Sequence, residues 1–216
     1  MLTALSLSSL LLLAPLPEVS IVCAPDPEGI TDVDMRELYQ SGQSFPDFLN
    51  AATRRRALWD ENWSRSESID MTLVARARAV GGTWRILTVA VDSCSDSVNT
   101  VPYLARLASM VDGLDLNIVL PGPGAELMAA YPTPDGRSAT PTFVLLNDSW
   151  AEVGCLVERP NFLRDYTLEN PDELESNALY AWKMEWYVEN AGHDTVEQMV
   201  EMMEAAAAGA RSCAAN

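Results

Sequence analysis

No C-x-x-C occurs in this 216-residue sequence. Cys23, Cys94, Cys155 and Cys213 stand far apart, and the single histidine, His193, is remote from all of them. A structural zinc site needs several Cys or His ligands at short paired spacings, so no metal is expected, and no cofactor motif is present. Whether Cys23 and Cys213 pair is left open by the sequence. Basic residues are also scarce: 14 Lys and Arg against 31 Asp and Glu give a net charge of −17. Nucleic acid is therefore not an expected partner, because phosphate binding needs a basic face. The one basic cluster, Arg54-Arg55-Arg56, reads as the solvated face of one helix turn.

Long apolar runs are few. Leu2 to Leu16 has the length of a signal-peptide core and is short for a membrane span. Val22-Cys23-Ala24 offers small residues for cleavage, although Pro25 follows and no Lys or Arg precedes the run. Bulky Val22 before Cys23 argues against a lipobox. The reading is an exported protein of the periplasm or cell envelope with no membrane segment after processing; the alternative is a cytoplasmic chain with a buried N-terminal helix.

Hydrophobic residues make up 48 % of the chain and charged ones 21 %, enough for a sizeable core. Residues 1–24 are the signal candidate, and 25–44, rich in Pro, Gly and Asp, read as a linker with one short helix. Residues 45–208 form the domain, with a core of about 84–160 between flanking helices at 45–80 and 171–208, and 209–216 are a tail.

Within the domain, Phe45, Phe48, Leu49, Ala52, Trp59 and Trp63 recur at helical spacing, and a helix after Ser68 turns Leu73, Val74, Ala77 and Val80 inward before Gly81-Gly82. Trp84 to Val91 is a short β-branched run, a buried strand. A helix from about Ser97 follows, then a strand at 115–120, a short helix at 123–131, turn chemistry at 132–137, and a hairpin of strands 141–146 and 151–157. Helices return at 172–189, with Leu179, Trp182 and Trp186 inward as core anchors, and from Asp194, with Val196, Met199, Val200 and Met203 inward. Met199, Met202 and Met203 are packing at helical spacing, since neither His nor Cys accompanies them. His193, beside a helix start, is expected to face solvent. The order β-α-β-α-β-β is an α/β plan.

The chemistry points to Asp92-Ser93-Cys94-Ser95-Asp96-Ser97, the turn after the first strand. A cysteine at a helix N-terminus meets unpaired N–H groups and the positive end of the helix dipole, which favour a thiolate, the form that attacks disulfides. Asp96 works against this by like charge. Cys94 as an inert buried thiol is the plainer alternative.

The arrangement resembles the thioredoxin-like family. Pro102 lies eight positions beyond Cys94, and Thr140-Pro141-Thr142 leads into an apolar strand as that family's cis-proline does. Ser93-Cys94-Ser95-Asp96-Ser97 is most similar to the bacterial members whose site reads Trp-Cys-Gly-Asp-Ser. Gly136-Arg137-Ser138-Ala139-Thr140-Pro141 resembles their Gly-Arg-Ser-x-Pro run with one residue more, Arg159-Pro160 matches the end of their last strand, and aromatic C-terminal helices correspond to Trp182 and Trp186. The resemblance covers roughly residues 45 to 205. It implies a thioredoxin-like fold, a mixed central sheet with added N- and C-terminal helices. It also implies a C-x-x-S site with Cys94 and Ser97 catalytic, and with Thr140, Pro141, Ser93, Asp96 and Arg137 contacting substrate.

The departures are specific. Ser97 stands where the second cysteine would, Ser93 replaces the tryptophan, and Thr88 occupies the place of the family's buried carboxylate. The expectation is a monothiol thiol–disulfide oxidoreductase whose partner is a protein or a low-molecular-weight thiol or disulfide. The alternative is a non-catalytic interaction domain on the same scaffold. Peroxide reduction ranks below both, because no Pro and Thr precede Cys94. Cys155 as a resolving thiol is less expected than Cys155 as a small buried hydrophobe. Arg137 and Arg159 would assist Cys94 if they converged on it; surface ion pairs are the plainer reading.

Overall fold

The computed structural model describes residues 33–170 and 177–210. The N-terminal run Leu2–Leu16, Cys23 and Cys213 lie outside the described residues, as do residues 25–32 of the expected linker.

Strands β1 (Trp84–Val89), β2 (Leu114–Val119), β3 (Thr142–Leu146) and β4 (Glu152–Val157) form one sheet in the order β2-β1-β3-β4. β1 pairs parallel with β2 and antiparallel with β3, and β3 pairs antiparallel with β4, with a register shift between Leu145 and Leu146. Parallel pairing needs a crossover, and α5 (Ser95–Met110) supplies it; the antiparallel β3–β4 pair needs only a tight loop. That loop closes through the Asn147 N–H on the Ala151 carbonyl at 2.9 Å. The β-α-β-α-β-β order is thus the observed one, with α6 (Ala125–Ala130) between β2 and β3.

Both faces of the sheet are covered, so its strands read as continuous apolar runs whose side chains alternate between two cores. Ile86, Ala90, Phe143 and Leu145 face the larger core, built by α2 (Phe45–Ala51), α3 (Arg56–Arg65), α4 (Met71–Val80), α5 and α9 (His193–Ala207). Leu87, Val89, Val144, Leu146 and Cys155 face the smaller one with α6 and α1 (Met35–Ser41). Cys155 is 2 % exposed there, opposite Val144.

The described part of the stretch 25–44 holds the one short helix expected there, packed against the domain. Asp34 caps α1 by accepting from the Glu37 N–H, Met35 and Tyr39 are buried, and Gln43 bridges Ile118 of β2. Two apolar side chains one turn apart are enough to dock a seven-residue helix that would not persist alone. The run from Phe45 to Trp63 differs, being two helices with a break at residues 52–55. Arg55 is left-handed (φ 52°) and only Arg56 of the three arginines is helical.

α7 (Asn161–Glu169) and α8 (Asn177–Asn190) lie beyond β4. The buried stripe of α8 is Leu179, Lys183 and Tyr187 rather than the tryptophans. Trp182 stacks on Tyr166 and Trp186 on Phe162, at centroid distances of 4.0 and 5.8 Å, so both rings join α8 to α7 and stay half-buried. Among the described residues no helix is long and apolar enough to cross a membrane.

α9 starts at Gly192 with φ +74°, and a Cβ there would collide with the Tyr103 ring of α5. Gly192→Ala therefore combines left-handed strain with overpacking and is expected to lower the unfolding free energy by about 2–4 kcal/mol. Urea unfolding checks this; an unchanged midpoint would mean that Tyr103 swings aside without loss.

Candidate functional site

Cys94 is the N-cap of α5. Its backbone is extended (φ −76°, ψ 129°), its Sγ accepts from the Ser97 N–H at 3.5 Å, and its carbonyl accepts from the Val98 N–H. A cap normally uses a Ser, Thr, Asp or Asn oxygen; here a sulfur takes that place. The sulfur is half-buried and its thiol donates to the Thr140 carbonyl at 3.0 Å. The Thr140–Pro141 peptide is cis, and the Pro141 carbonyl accepts from the Glu158 N–H at 2.7 Å, tying this loop to the end of β4. Residues 46 apart in sequence thus meet at one sulfur.

The turn before Cys94 is held from the 52–59 segment. Asp92 Oδ2 accepts from the Thr53 and Arg54 backbone N–H groups, each at 2.8 Å. Trp59 Nε1 donates to the Asp92 carbonyl at 3.0 Å, and Arg55 Nε to the Ser93 carbonyl at 2.7 Å. Arg55 Nη1 also donates to the Tyr180 hydroxyl of α8 at 3.2 Å. Two of the three arginines expected as a solvated face therefore serve the cysteine turn: Arg54 by its backbone and Arg55 by its side chain.

α5 is buried over Asp96–Ala105, an unusually long unbroken stretch for a helix. Pro102 within it has no N–H and leaves the Val98 carbonyl, four residues back, without its helical donor. Asn62 of α3, 2 % exposed, fills the vacancy: its Nδ2 donates to Val98 O at 2.8 Å and to Asn99 Oδ1 at 2.9 Å.

Asp96, expected to face substrate, is 4 % exposed and turned into the protein. Lys183 Nζ reaches its two carboxylate oxygens at 3.0 and 3.2 Å and Ser95 Oγ at 3.2 Å, and the Tyr187 hydroxyl donates to Oδ1 at 2.8 Å. Arg159 Nε lies 3.6 Å from Oδ1. A buried carboxylate this close to a helix start is satisfied by cations rather than by solvent. Burial first, and then the charge of Asp96, push the Tyr187 phenol well above its usual range, so it remains a donor.

Ser97 is fully buried, and its Oγ, like Thr88 Oγ1 in β1, has no hydrogen-bond partner among the described residues. Ser93 is exposed beside the sulfur. Arg137, on the loop before Pro141, is occupied by Asp135 at 2.6 Å and Glu158 at 3.4 Å, and Glu158 also pairs with Arg159 at 3.1 Å. The two arginines thus bind carboxylates; Arg137 is a surface pair, whereas Arg159 is largely buried against Asp96. His193, Asp194 and Glu197 bring donor atoms within 4.8 Å of one another at the start of α9, remote from the cysteine turn in the chain and answered by one another and by Asp70.

Cys94, Thr140 and Pro141 are therefore brought together, Ser97 and Asp96 lie beneath them, and Arg137 sits aside. Sequence reasoning missed Lys183, Tyr187, Asn62 and Arg55. One signal for the first two was available: a lysine stands at helical spacing between Leu179 and Tyr187 on an otherwise apolar stripe.

A family model described as thioredoxin matches residues 42–175. Among solved structures, the chain is similar to a protein of unknown function from Pseudomonas aeruginosa, with 19% sequence identity and a TM-score of 0.64 over 79% of this chain and 97% of that one. It is also similar to an HIV epitope-scaffold, with 17% identity and a TM-score of 0.61 over 78% of this chain and 96% of that one. None of the curated proteins compared matches it.

Asp92 provides a test of how the turn is held. Burial works to raise its pKa, but the N–H groups of Arg54 and Thr53 and the Thr53 hydroxyl outweigh that, and the net direction is down. A carboxyl with a lowered folded-state pKa adds stability above its unfolded value, about 4, and loses it as pH falls through the folded value. Asp92→Asn should therefore be less stable than wild type at pH 7 and lose less stability between pH 5 and about 2. Parallel urea titrations of the two proteins across that range check it; superimposable pH profiles would refute the role.

Proposed function

Because the chain belongs to the thioredoxin-like family, we propose that it is a monothiol thiol–disulfide oxidoreductase acting through Cys94, of the type whose site reads Cys-x-x-Ser. The observation that carries this reading is the placement of the Cys94 sulfur: it caps α5 and points at the carbonyl of Thr140, the residue before cis-Pro141. An extended substrate lying along the Thr140–Pro141 edge would present its own sulfur to Cys94 from that side.

The exchange balances with one external thiol. Deprotonated Cys94 attacks one sulfur of a substrate disulfide, its proton passing to solvent. A mixed disulfide forms, and the other substrate sulfur leaves as a thiolate that takes up a proton. Ser97 cannot displace the bound sulfur. A second thiol, from a protein or a small molecule, therefore attacks the mixed disulfide, releases Cys94 and carries away the new disulfide. The Ser97 N–H is positioned to stabilise negative charge on Cys94 at both steps. Ser93 flanks the sulfur on the solvent side; Thr140 and Pro141 form the substrate edge. The N-terminal apolar run supports an exported location, where disulfide substrates accumulate.

The second reading, a non-catalytic peptide-binding domain on this scaffold, is favoured by Thr88. The position of the family's buried carboxylate holds a fully buried hydroxyl that titrates nowhere near neutral pH. The two readings separate on one residue. With a disulfide-bonded model peptide, wild type should accumulate a mixed disulfide stable to alkylation, and Cys94→Ser should form none while staying folded. Peptide held equally by both variants without a covalent adduct would establish the binding domain and end the enzymatic reading.

A further inference from the structure

Of the 14 Lys and Arg residues in this chain, Lys183 is the only lysine. It is also buried, 8 % exposed, on α8, where its ammonium meets three oxygens: the two of Asp96 and the hydroxyl of Ser95. Those residues are the first two of α5, directly after Cys94. A compact ammonium with three donors suits three converging oxygens, and the other 13 cations of the chain are all arginines. Arg159 is the second cation here: its Nη atoms donate to Thr167 and Glu158 at 3.1 Å each, while its buried Nε lies 3.6 Å from Asp96 without a hydrogen bond among the described residues.

Asp96 is thus faced from every side. Lys183 and Tyr187 approach from α8, Arg159 from the β4–α7 connection, and Ser95 from its own helix; Glu158 stands one step behind, on Arg159. Without the ammonium, a carboxylate two residues from Cys94 would repel the negative charge the sulfur must carry to react.

We infer that Lys183 is a positioning residue for Cys94. It cancels the charge of Asp96 and fixes the first turn of α5, so that the sulfur stays aimed at the Thr140–Pro141 edge. The inference rests on the reading of Cys94 as the nucleophile. It makes α8, which follows the sheet by some 20 residues, part of the reactive turn rather than a covering helix.

The experiment measures how fast Cys94 in the native full-length chain forms a mixed disulfide with 2,2′-dithiodipyridine, an uncharged disulfide, read on the Cys94 peptide by mass spectrometry. Wild type is compared with Lys183→Met, Asp96→Asn, the double variant and Tyr187→Phe. Lys183→Met is expected to slow the reaction about tenfold or more, and Asp96→Asn in the double variant to restore it to within about threefold of wild type. A lysine that acts only through the volume it fills would give a slow double variant, because the packing around residue 183 is equally altered in both; that result overturns the inference, as does a wild-type rate in Lys183→Met. Should Lys183→Met fail to fold, the double variant, which buries no unpaired charge, and Tyr187→Phe, which weakens the same clamp, take its place. Tyr187→Phe must then slow the reaction by a factor of about three while the double variant stays within about threefold of wild type; a wild-type rate in Tyr187→Phe, or a slow double variant, would overturn the inference. A native wild-type Cys94 that does not react would overturn the nucleophile reading and this inference together, which sets it apart from failure of Lys183 alone.

Discussion

A carboxylate buried at the start of a helix is tolerable only when its partners are built in, and Asp96 imposes that requirement on this protein. Transferring a lone carboxylate out of water costs far more than a domain of this size can spare, so the chain must return to Asp96 with cations and donors. It does so with Lys183 and Tyr187 from α8 and Arg159 from the end of β4. The C-terminal helices are placed where they are by this need as much as by apolar packing. α8 has a polar stripe, Lys183 and Tyr187, turned inward, while its tryptophans stack on the aromatic rings of α7. Fixing Asp96 also fixes Ser95 and hence the cap at Cys94.

A second constraint comes from Pro102. Its missing N–H would leave a buried carbonyl unpaired in the middle of α5, and Asn62 of α3 removes that cost. α3 is in turn locked to the cysteine turn through Trp59, and the break before it through Arg55 and the backbone of Thr53 and Arg54. The helices that precede the sheet and those that follow it therefore grip the same few residues, Asp92 to Val98. Few groups in that turn are free to move independently, which is the condition for holding the sulfur at a fixed angle to the Thr140–Pro141 loop.

The thioredoxin-like scaffold is accordingly kept while its usual redox groups are replaced. By that resemblance Ser97, fully buried, stands where a second thiol is expected and Thr88, also buried, where a carboxylate is. A carboxylate does lie under the motif, but it comes from the motif itself and carries its own counter-charge from a helix outside the sheet core. The charged groups nearest Cys94 are therefore Asp96 and its partners rather than any group of β1.

The sequence by itself determined the strands, their order along the chain and the turn that carries Cys94. Apolar runs of four to six β-branched and aliphatic residues, bounded by turn residues, suit a doubly covered sheet, and the turn after the first of them placed Cys94 near the start of a long apolar helix; that the sulfur itself is the cap, with the helix beginning at Ser95, only the structure shows. Thr140-Pro141 was legible as the facing loop only through the resemblance to the thioredoxin-like family, whose cis-proline precedes a central strand. What only the tertiary structure decided were the partners. The break at residues 52–55 carries no proline or glycine and forms because Asp92 accepts the N–H groups of Thr53 and Arg54, a contact across 39 residues that local spacing does not encode. Periodicity put Trp182 and Trp186 in the core because it weighs hydrophobicity alone. The buried face of α8 goes instead to Lys183 and Tyr187, since a buried carboxylate outranks an aromatic ring in what it demands of its neighbours. Helical period reveals which residues share a stripe; which stripe turns inward depends on the chemistry waiting there, and that chemistry sat on a helix 87 residues earlier in the chain.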